Sequence, residues 1–177
     1  WEEDAGVNAF TLATCIAALA CGAAWLEEPA RTWALRIADD WNARIEDWTV
    51  VRGTRLAQQH GVAGYYVRIA PTTGGESGSR LECILAIKNR TRDPGLAAED
   101  QVATDFLQLV RLGLRDAGDP LVTGTVKIVD DMLRVDTPCG PAWHRYNGDG
   151  YGEHADGAPF DGAGVGRAWP LLSGERG

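Results

Sequence analysis

The sequence lacks the cysteine patterns of a metal or redox protein. Its four cysteines form no CxxC pair and fit no zinc-site spacing, so we expect no metal site. Cys15 and Cys21 lie six residues apart on a predicted helix, and we interpret them as small buried hydrophobic residues. Positive charge is also scarce, with 17 Lys and Arg against 25 Asp and Glu and a net charge of -8. Because an acidic chain repels phosphates and anionic lipids, nucleic-acid and membrane partners are not expected.

The chain also lacks a signal peptide, an internal repeat and a linker. Its 177 residues and 45% hydrophobic content suit one globular domain. It begins with Trp1 rather than Met, and residues 173–177 follow an apolar run without a natural C-terminal helix. We therefore interpret residues 1–177 as a partial domain truncated at both ends. An extracellular and a cytoplasmic location both remain open.

Two successive segments predict helices of different burial. Residues 5–26 carry no charge and are rich in Ala, Thr and Gly. This composition is too weakly apolar for a membrane span, so it predicts a helix buried on all sides. Between Arg31 and Trp48, apolar residues recur every three or four positions, which predicts an amphipathic surface helix. This alternation is typical of inner and outer helices in an α/α barrel.

The middle of the chain interrupts the helical pattern. Residues 61–69 and 81–87 have the composition and alternation of strands, and the Gly- and Ser-rich residues between them predict a loop. We therefore expect a β-hairpin excursion around residues 60–90. Apolar spacing predicts that helices resume over residues 102–114 and 122–133.

Residues 139–169 combine seven glycines between positions 140 and 164 with aromatic and acidic side chains. Such a long glycine-rich stretch is typical of a shaped pocket built on a loop. Arg145 offers a planar fork of hydrogen-bond donors to a ligand. The residues that could stack on or border sugar rings are Trp143, Tyr146, Tyr151 and Trp169.

Three segments of the chain resemble family 15 of the glycoside hydrolases. The first is Trp1-Glu2-Glu3 followed by the apolar helix, which on its own is better explained by acidic residues that favour a helix start. The second, and far more specific, is the run from Gly140 to Gly177, which resembles the bacterial members. The third, Tyr65-Tyr66-Val-Arg-Ile-Ala-Pro71, also resembles the family. The motifs occur in family order and span nearly the whole chain. The resemblance implies an all-α fold, part of an (α/α)6 barrel.

The resemblance also implies an inverting exo-hydrolase that releases glucose from the non-reducing ends of α-glucans or malto-oligosaccharides, without a cofactor. It implies that Glu2 is the general acid and that Glu3 binds the sugar and keeps Glu2 protonated. Substrate-binding roles follow for Trp1, Arg145, Tyr146 and Trp169, with Asp149 and Glu153 as weaker candidates or loop supports.

The chain departs from the family pattern because the catalytic base and the Arg-Asp pair of the family lie outside it. Inverting hydrolysis needs two carboxyl groups roughly 6.5–9.5 Å apart. As a separate polypeptide, this chain is expected to be inactive. A glucodextranase or trehalase of the same family fits the motifs equally well. A non-catalytic carbohydrate-binding helical domain and a purely structural helical domain also remain open.

Overall fold

The structure is a computed structural model that describes residues 4–72 and 81–176. Helices dominate, with short strands between them. The helices are α1 (Ala9–Gly22), α2 (Ala30–Thr49), α3 (Arg55–His60), α4 (Gln108–Arg111), α5 (Pro120–Met132) and α6 (Pro170–Arg176). The strands are β1 (Val50–Val51), β2 (Tyr65–Tyr66), β3 (Arg134–Thr137), β4 (Gly140–His144) and β5 (Ala168–Trp169).

Helix α1 is shorter and more exposed than the uncharged segment predicts. Asn8 caps it, because the side-chain oxygen accepts a hydrogen bond from the Thr11 amide at 3.0 Å. Its buried residues, Ala9, Ala13 and Ile16, lie on one face, which packs mainly against α2 and also contacts α4. The prediction of burial on all sides is therefore wrong for this chain. The prediction that Cys15 and Cys21 are buried is wrong as well, since both are exposed.

Helix α2 has the amphipathic character that its spacing predicts. Ala34, Ala38 and Ile45 are buried on one face, and charged residues occupy the other. The helix passes directly into β1, so its buried face and the short strand belong to one hydrophobic core.

The β excursion is present, but its pairing differs from the predicted hairpin. Strand β2 pairs antiparallel with β1, with Val50 opposite Tyr66 and Val51 opposite Tyr65. The 81–87 segment instead forms an isolated bridge between Ile84 and Ala97. Alternating apolar residues determine which face of a strand is buried but leave its partner open.

Tight turns divide the second half of the chain. The predicted helix over 102–114 is two short pieces, a 3-10 helix at Asp105–Leu107 followed by α4. Gly113, with a φ of 73°, provides the left-handed turn after it. Asp119 caps α5 by accepting from the Leu121 amide at 2.8 Å, and the predicted 122–133 helix matches α5 to within a turn.

The main hydrophobic core includes buried residues of α1, α2, β1, β2 and α5. Its largest fully buried side chains include Tyr65, Tyr66, Phe106 and Ile128, and the Tyr66 and Phe106 rings stack with centroids 5.7 Å apart. After α5 the chain forms a three-stranded antiparallel sheet in the order β3-β4-β5. Among residues 4–72 and 81–176, no helix combines the length and apolar character needed to cross a membrane.

Candidate functional site

Arg145 is held in a fixed orientation just beyond β4. Its Nε and Nη2 donate to the two carboxylate oxygens of Asp149, at 2.7 and 2.8 Å. The Asp149 side chain is 1% exposed, whereas that of Arg145 is 29% exposed. A bidentate pair of this kind fixes the plane of the guanidinium. Arg145 is therefore anchored from inside the protein with its side chain open to one side.

Asn89 connects this pair to the neighbouring tyrosine. Its amide nitrogen donates to the Tyr146 hydroxyl at 2.7 Å and to Asp149 at 2.8 Å, and its oxygen accepts from the Gly150 amide at 3.0 Å. Asp149 also accepts from the Tyr151 amide at 3.0 Å. From the sequence, Asp149 is only a weak candidate for a role in the site, and Asn89 is not a candidate.

Tyr146 lies between two arginines. The Arg68 guanidinium lies 3.7 Å from its ring centroid, and the Arg145 guanidinium lies 5.3 Å from it. Arg68 is buried and donates to the Gln101 side chain at 2.9 Å. Cation–π contacts of this type strengthen when they are removed from water. A cavity of about 100 Å³ adjoins this stack, and its polar lining includes Asn8, Arg68, Thr104, Asp105, Arg145 and Tyr146.

Trp169 lies in a second, more open pocket beside the first. It pairs with Trp143 across β4 and β5, and 37% of it is exposed. The pocket has a volume of about 390 Å³ and is lined by Tyr151, Phe160, Trp169, Glu153 and Arg167 together with Gly152 and Pro159.

Tyr151 connects the second pocket to the first. Tyr151 and Phe160 meet edge to face with centroids 5.1 Å apart. The Arg145 guanidinium lies 5.5 Å from the Tyr151 ring. The structure thus brings Arg145, Tyr146 and Trp169 to one region of the surface.

Side-chain contacts hold the glycine-rich loop at the rim of this pocket. Glu153 forms an ion pair with Arg167, and a ring nitrogen of His154 lies at hydrogen-bond distance, 2.8 Å, from the Asp161 carboxylate. The Ala163 amide and His154 lower the pKa of Asp161. Within the described residues, no cluster of three or more His, Cys, Asp or Glu side chains could hold a metal ion.

Asp105 is the acidic residue with the most unusual environment next to the cavity. Its carboxylate accepts a hydrogen bond of 2.6 Å from the side-chain nitrogen of Asn8. Burial raises the pKa of the Asp105 carboxyl, although this hydrogen bond and the nearby Arg68 act to lower it. The sequence predicts only that Asp105 lies near the start of a helix, because a single Asp in a helical segment carries no further signal.

Trp1, Glu2 and Glu3 lie outside the described residues. The first described residue is Asp4, whose carboxylate pairs with Lys88 at 2.7 Å. Val7 then pairs with Ala70 through two backbone hydrogen bonds of 2.7 and 2.8 Å. The chain therefore enters α1 along the same wall that holds Arg68.

Comparison with known proteins decides the family. Residues 1–172 match the family described as glycosyl hydrolases family 15. The chain belongs to this family. It is 37% identical over 183 residues to a glucoamylase of Clostridium sp. (strain G0005), an alignment that covers 100% of this chain and 24% of that protein.

The fold agrees with a solved structure of the family. A bacterial glucoamylase crystallised with acarbose is 35% identical and superposes with a TM-score of 0.82, covering 99% of this chain and 25% of that one. The predicted fold class, part of an α/α barrel, is thereby confirmed. The chain spans about a quarter of the length of these relatives.

Proposed function

We propose that the protein to which this chain belongs is an inverting, exo-acting α-glucoside hydrolase of the glucan 1,4-α-glucosidase type. It removes glucose from the non-reducing ends of α-glucans or malto-oligosaccharides. The family match over residues 1–172 carries this proposal. The relatives at 37% and 35% identity, which are both named glucoamylases, support the choice of activity within the family. In this proposal residues 1–177 are one part of the catalytic barrel.

Arg145, Tyr146 and Trp169 are proposed to bind the substrate. Arg145 has the chemistry for this role because its guanidinium is fixed by Asp149 and still 29% exposed. A fixed fork of donors can hydrogen-bond two neighbouring hydroxyls with little loss of side-chain entropy. Trp169 offers an exposed aromatic face to a pyranose ring. Acarbose, the ligand of the similar bacterial glucoamylase, supports an oligosaccharide as the ligand here.

Glu2 is proposed as the general acid, with Glu3 and Trp1 beside it. Glu2 would donate its proton to the glycosidic oxygen as the bond to the anomeric carbon breaks. A water molecule would attack that carbon from the opposite face and lose its proton to a base supplied by residues outside this chain. The neighbouring Glu3 carboxylate would raise the pKa of Glu2 and keep it protonated. No cofactor enters this mechanism.

The experiment is a comparison of the full-length protein with its Glu2→Gln variant, on maltose, isomaltose and trehalose. We expect hydrolysis of maltose by the wild type and a fall in kcat of about 10²- to 10⁴-fold in the variant, because an amide cannot donate the proton. Glu27→Gln, an exposed glutamate after α1, is the matched control and should retain full activity.

Three other outcomes would change the proposed activity or the role of Glu2. Faster hydrolysis of isomaltose or trehalose than of maltose would move the assignment to a glucodextranase or a trehalase. Full activity of the Glu2→Gln variant would remove Glu2 from the acid role. A wild-type protein that binds maltotriose without cleaving any of the three substrates would favour the carbohydrate-binding alternative.

A further inference from the structure

Asn8 makes more contacts than a helix cap requires. Its side-chain oxygen accepts from the Thr11 amide, which is the capping bond of α1. Its nitrogen donates to the Arg68 carbonyl at 2.8 Å and to the Asp105 carboxylate at 2.6 Å. Ser, Thr or Asp would cap the helix equally well. Only an amide can accept from the helix and donate to two other elements at the same time.

The partners of Asn8 lie on the wall that carries the candidate binding residues. The Arg68 guanidinium stacks on Tyr146 at 3.7 Å, and Asp105 lines the same small cavity as Arg145. Asn8 is 7% exposed and Arg68 is 2% exposed. The contact thus joins the start of α1 to the Arg68–Tyr146 stack in a site largely closed to water.

The backbone before Asn8 is pressed against the same wall. Val7 pairs with Ala70, and a Cβ atom on Gly6 would lie 2.7 Å from the Ala70 carbonyl oxygen. No side chain larger than hydrogen fits at position 6 without displacing that backbone. Residues 6–8 therefore have a single close-packed path along residues 68–70.

The Asp105 carboxyl lies in an environment that disfavours its charged form. Burial raises its pKa, even though Asn8 and Arg68 act in the opposite direction. The other charged side chains that line its cavity are those of Arg68 and Arg145. Asn8 and Thr104 add neutral polar side chains. A neutral residue would avoid the desolvation of the carboxylate. The hydrogen bond from the Asn8 side chain offsets part of this penalty and joins Asp105 to the start of α1.

We propose that Asn8 and Asp105 form a clamp that positions the start of α1 against the wall holding Arg145 and Tyr146. Trp1–Glu3 come shortly before this segment in the sequence, so we expect the clamp to limit where the proposed acid can lie relative to the proposed sugar-binding arginine. Asn8 and Asp105 are positioning residues and do not themselves contact substrate. This inference rests on the proposed function.

The sharpest test is Asn8→Asp in the full-length protein, because aspartate keeps the cap of α1 and removes both donated hydrogen bonds. It also places a second carboxylate against Asp105. We expect kcat on maltose to fall on the order of 10- to 100-fold, as for small displacements of a catalytic group, with KM changed less than threefold.

The double variant Asn8→Asp/Asp105→Asn reverses the donor and the acceptor of the clamp. We expect it to recover at least a third of the lost kcat, although the bond to the Arg68 carbonyl is not restored. A structural role alone would also recover in the double variant, so kcat is calculated per folded molecule, with the folded fraction taken from circular dichroism. A purely structural role would leave this kcat unchanged in Asn8→Asp. Asp39→Asn, an exposed residue of α2, is the control for the second substitution and should leave kcat unchanged.

The outcomes separate the clamp from the proposed function. A wild type that hydrolyses maltose, with Asn8→Asp within twofold of it in kcat, would overturn the clamp alone. Failure of the double variant to improve on Asn8→Asp would overturn it as well. A wild type that hydrolyses no α-glucoside would instead overturn the proposed function.

Discussion

Replacing Asp149 with Asn should release Arg145 from its fixed orientation. The carboxylate accepts two hydrogen bonds from Arg145, one from Asn89 and one from the Tyr151 amide, and its side chain is 1% exposed. An amide of the same shape has one accepting oxygen, and its NH2 group would face donors. Breaking a buried ion pair costs about 3–5 kcal/mol, and we expect the lower end because the shape is conserved.

The assay is the unfolding free energy of the full-length protein together with kcat/KM on maltose. We expect Asp149→Asn to lower the free energy of unfolding by about 3 kcal/mol. We expect kcat/KM to fall at least tenfold, or about 1.4 kcal/mol of transition-state stabilisation, since Arg145 loses its preorganisation. Asp156→Asn, an exposed change on the same loop, should stay within about 0.5 kcal/mol of the wild type. A similarly small effect at Asp149 would refute the anchoring role.

Two further predictions concern packing and pH. Gly124→Ala places a Cβ 2.9 Å from the Gly64 carbonyl oxygen inside the core and should lower the free energy of unfolding by about 1–3 kcal/mol. The control is Gly22→Ala, whose Cβ meets no described heavy atom within 4 Å and which should change the melting temperature little. Equal effects of the two substitutions would contradict the close packing at Gly124. Hydrogen bonds from Arg176 lower the pKa of Asp130, so this pair stabilises the fold above the ordinary Asp pKa and the effect disappears as pH falls through the lowered value. Asp130→Asn should therefore destabilise at pH 7 and match the wild type near the acid limit of folding in pH-dependent melting curves; a constant difference would refute the pair.

The helices could be predicted from the sequence where one face is consistently apolar. The spacing in α2 and the Asp119-Pro120 start of α5 match the structure closely. The short helices after Val102 could not be predicted, because the turn at Gly113 interrupts a continuous apolar period. The length of α1 was overestimated, since the absence of charge does not specify where a helix begins.

The burial of α1 shows why a chain segment can mislead. Its uncharged surface predicts contacts on every side, and in this structure only the face toward α2 and α4 is buried. The chain spans about a quarter of its relatives, so a composition suited to a complete barrel need not match the burial within one part of it. The exposed Cys15 and Cys21 belong to the same uncovered face of α1.

The candidate site was only partly readable from the sequence. Arg145, Tyr146 and Trp169 could be selected through their motif, and the structure places them in one region. Asn89 and Asp105 could not be selected, because they reach the site from segments far away in the sequence and follow no motif. Contacts of this kind depend on tertiary packing, which local spacing does not encode.

Proton NMR of the reaction of the full-length protein with maltose identifies the anomeric form of the glucose that is released first. Attack of water on the face opposite the leaving group inverts the α-linkage, so β-glucose should appear first and then mutarotate. Initial release of α-glucose would contradict the inverting mechanism, and the absence of any released glucose would contradict the proposed activity.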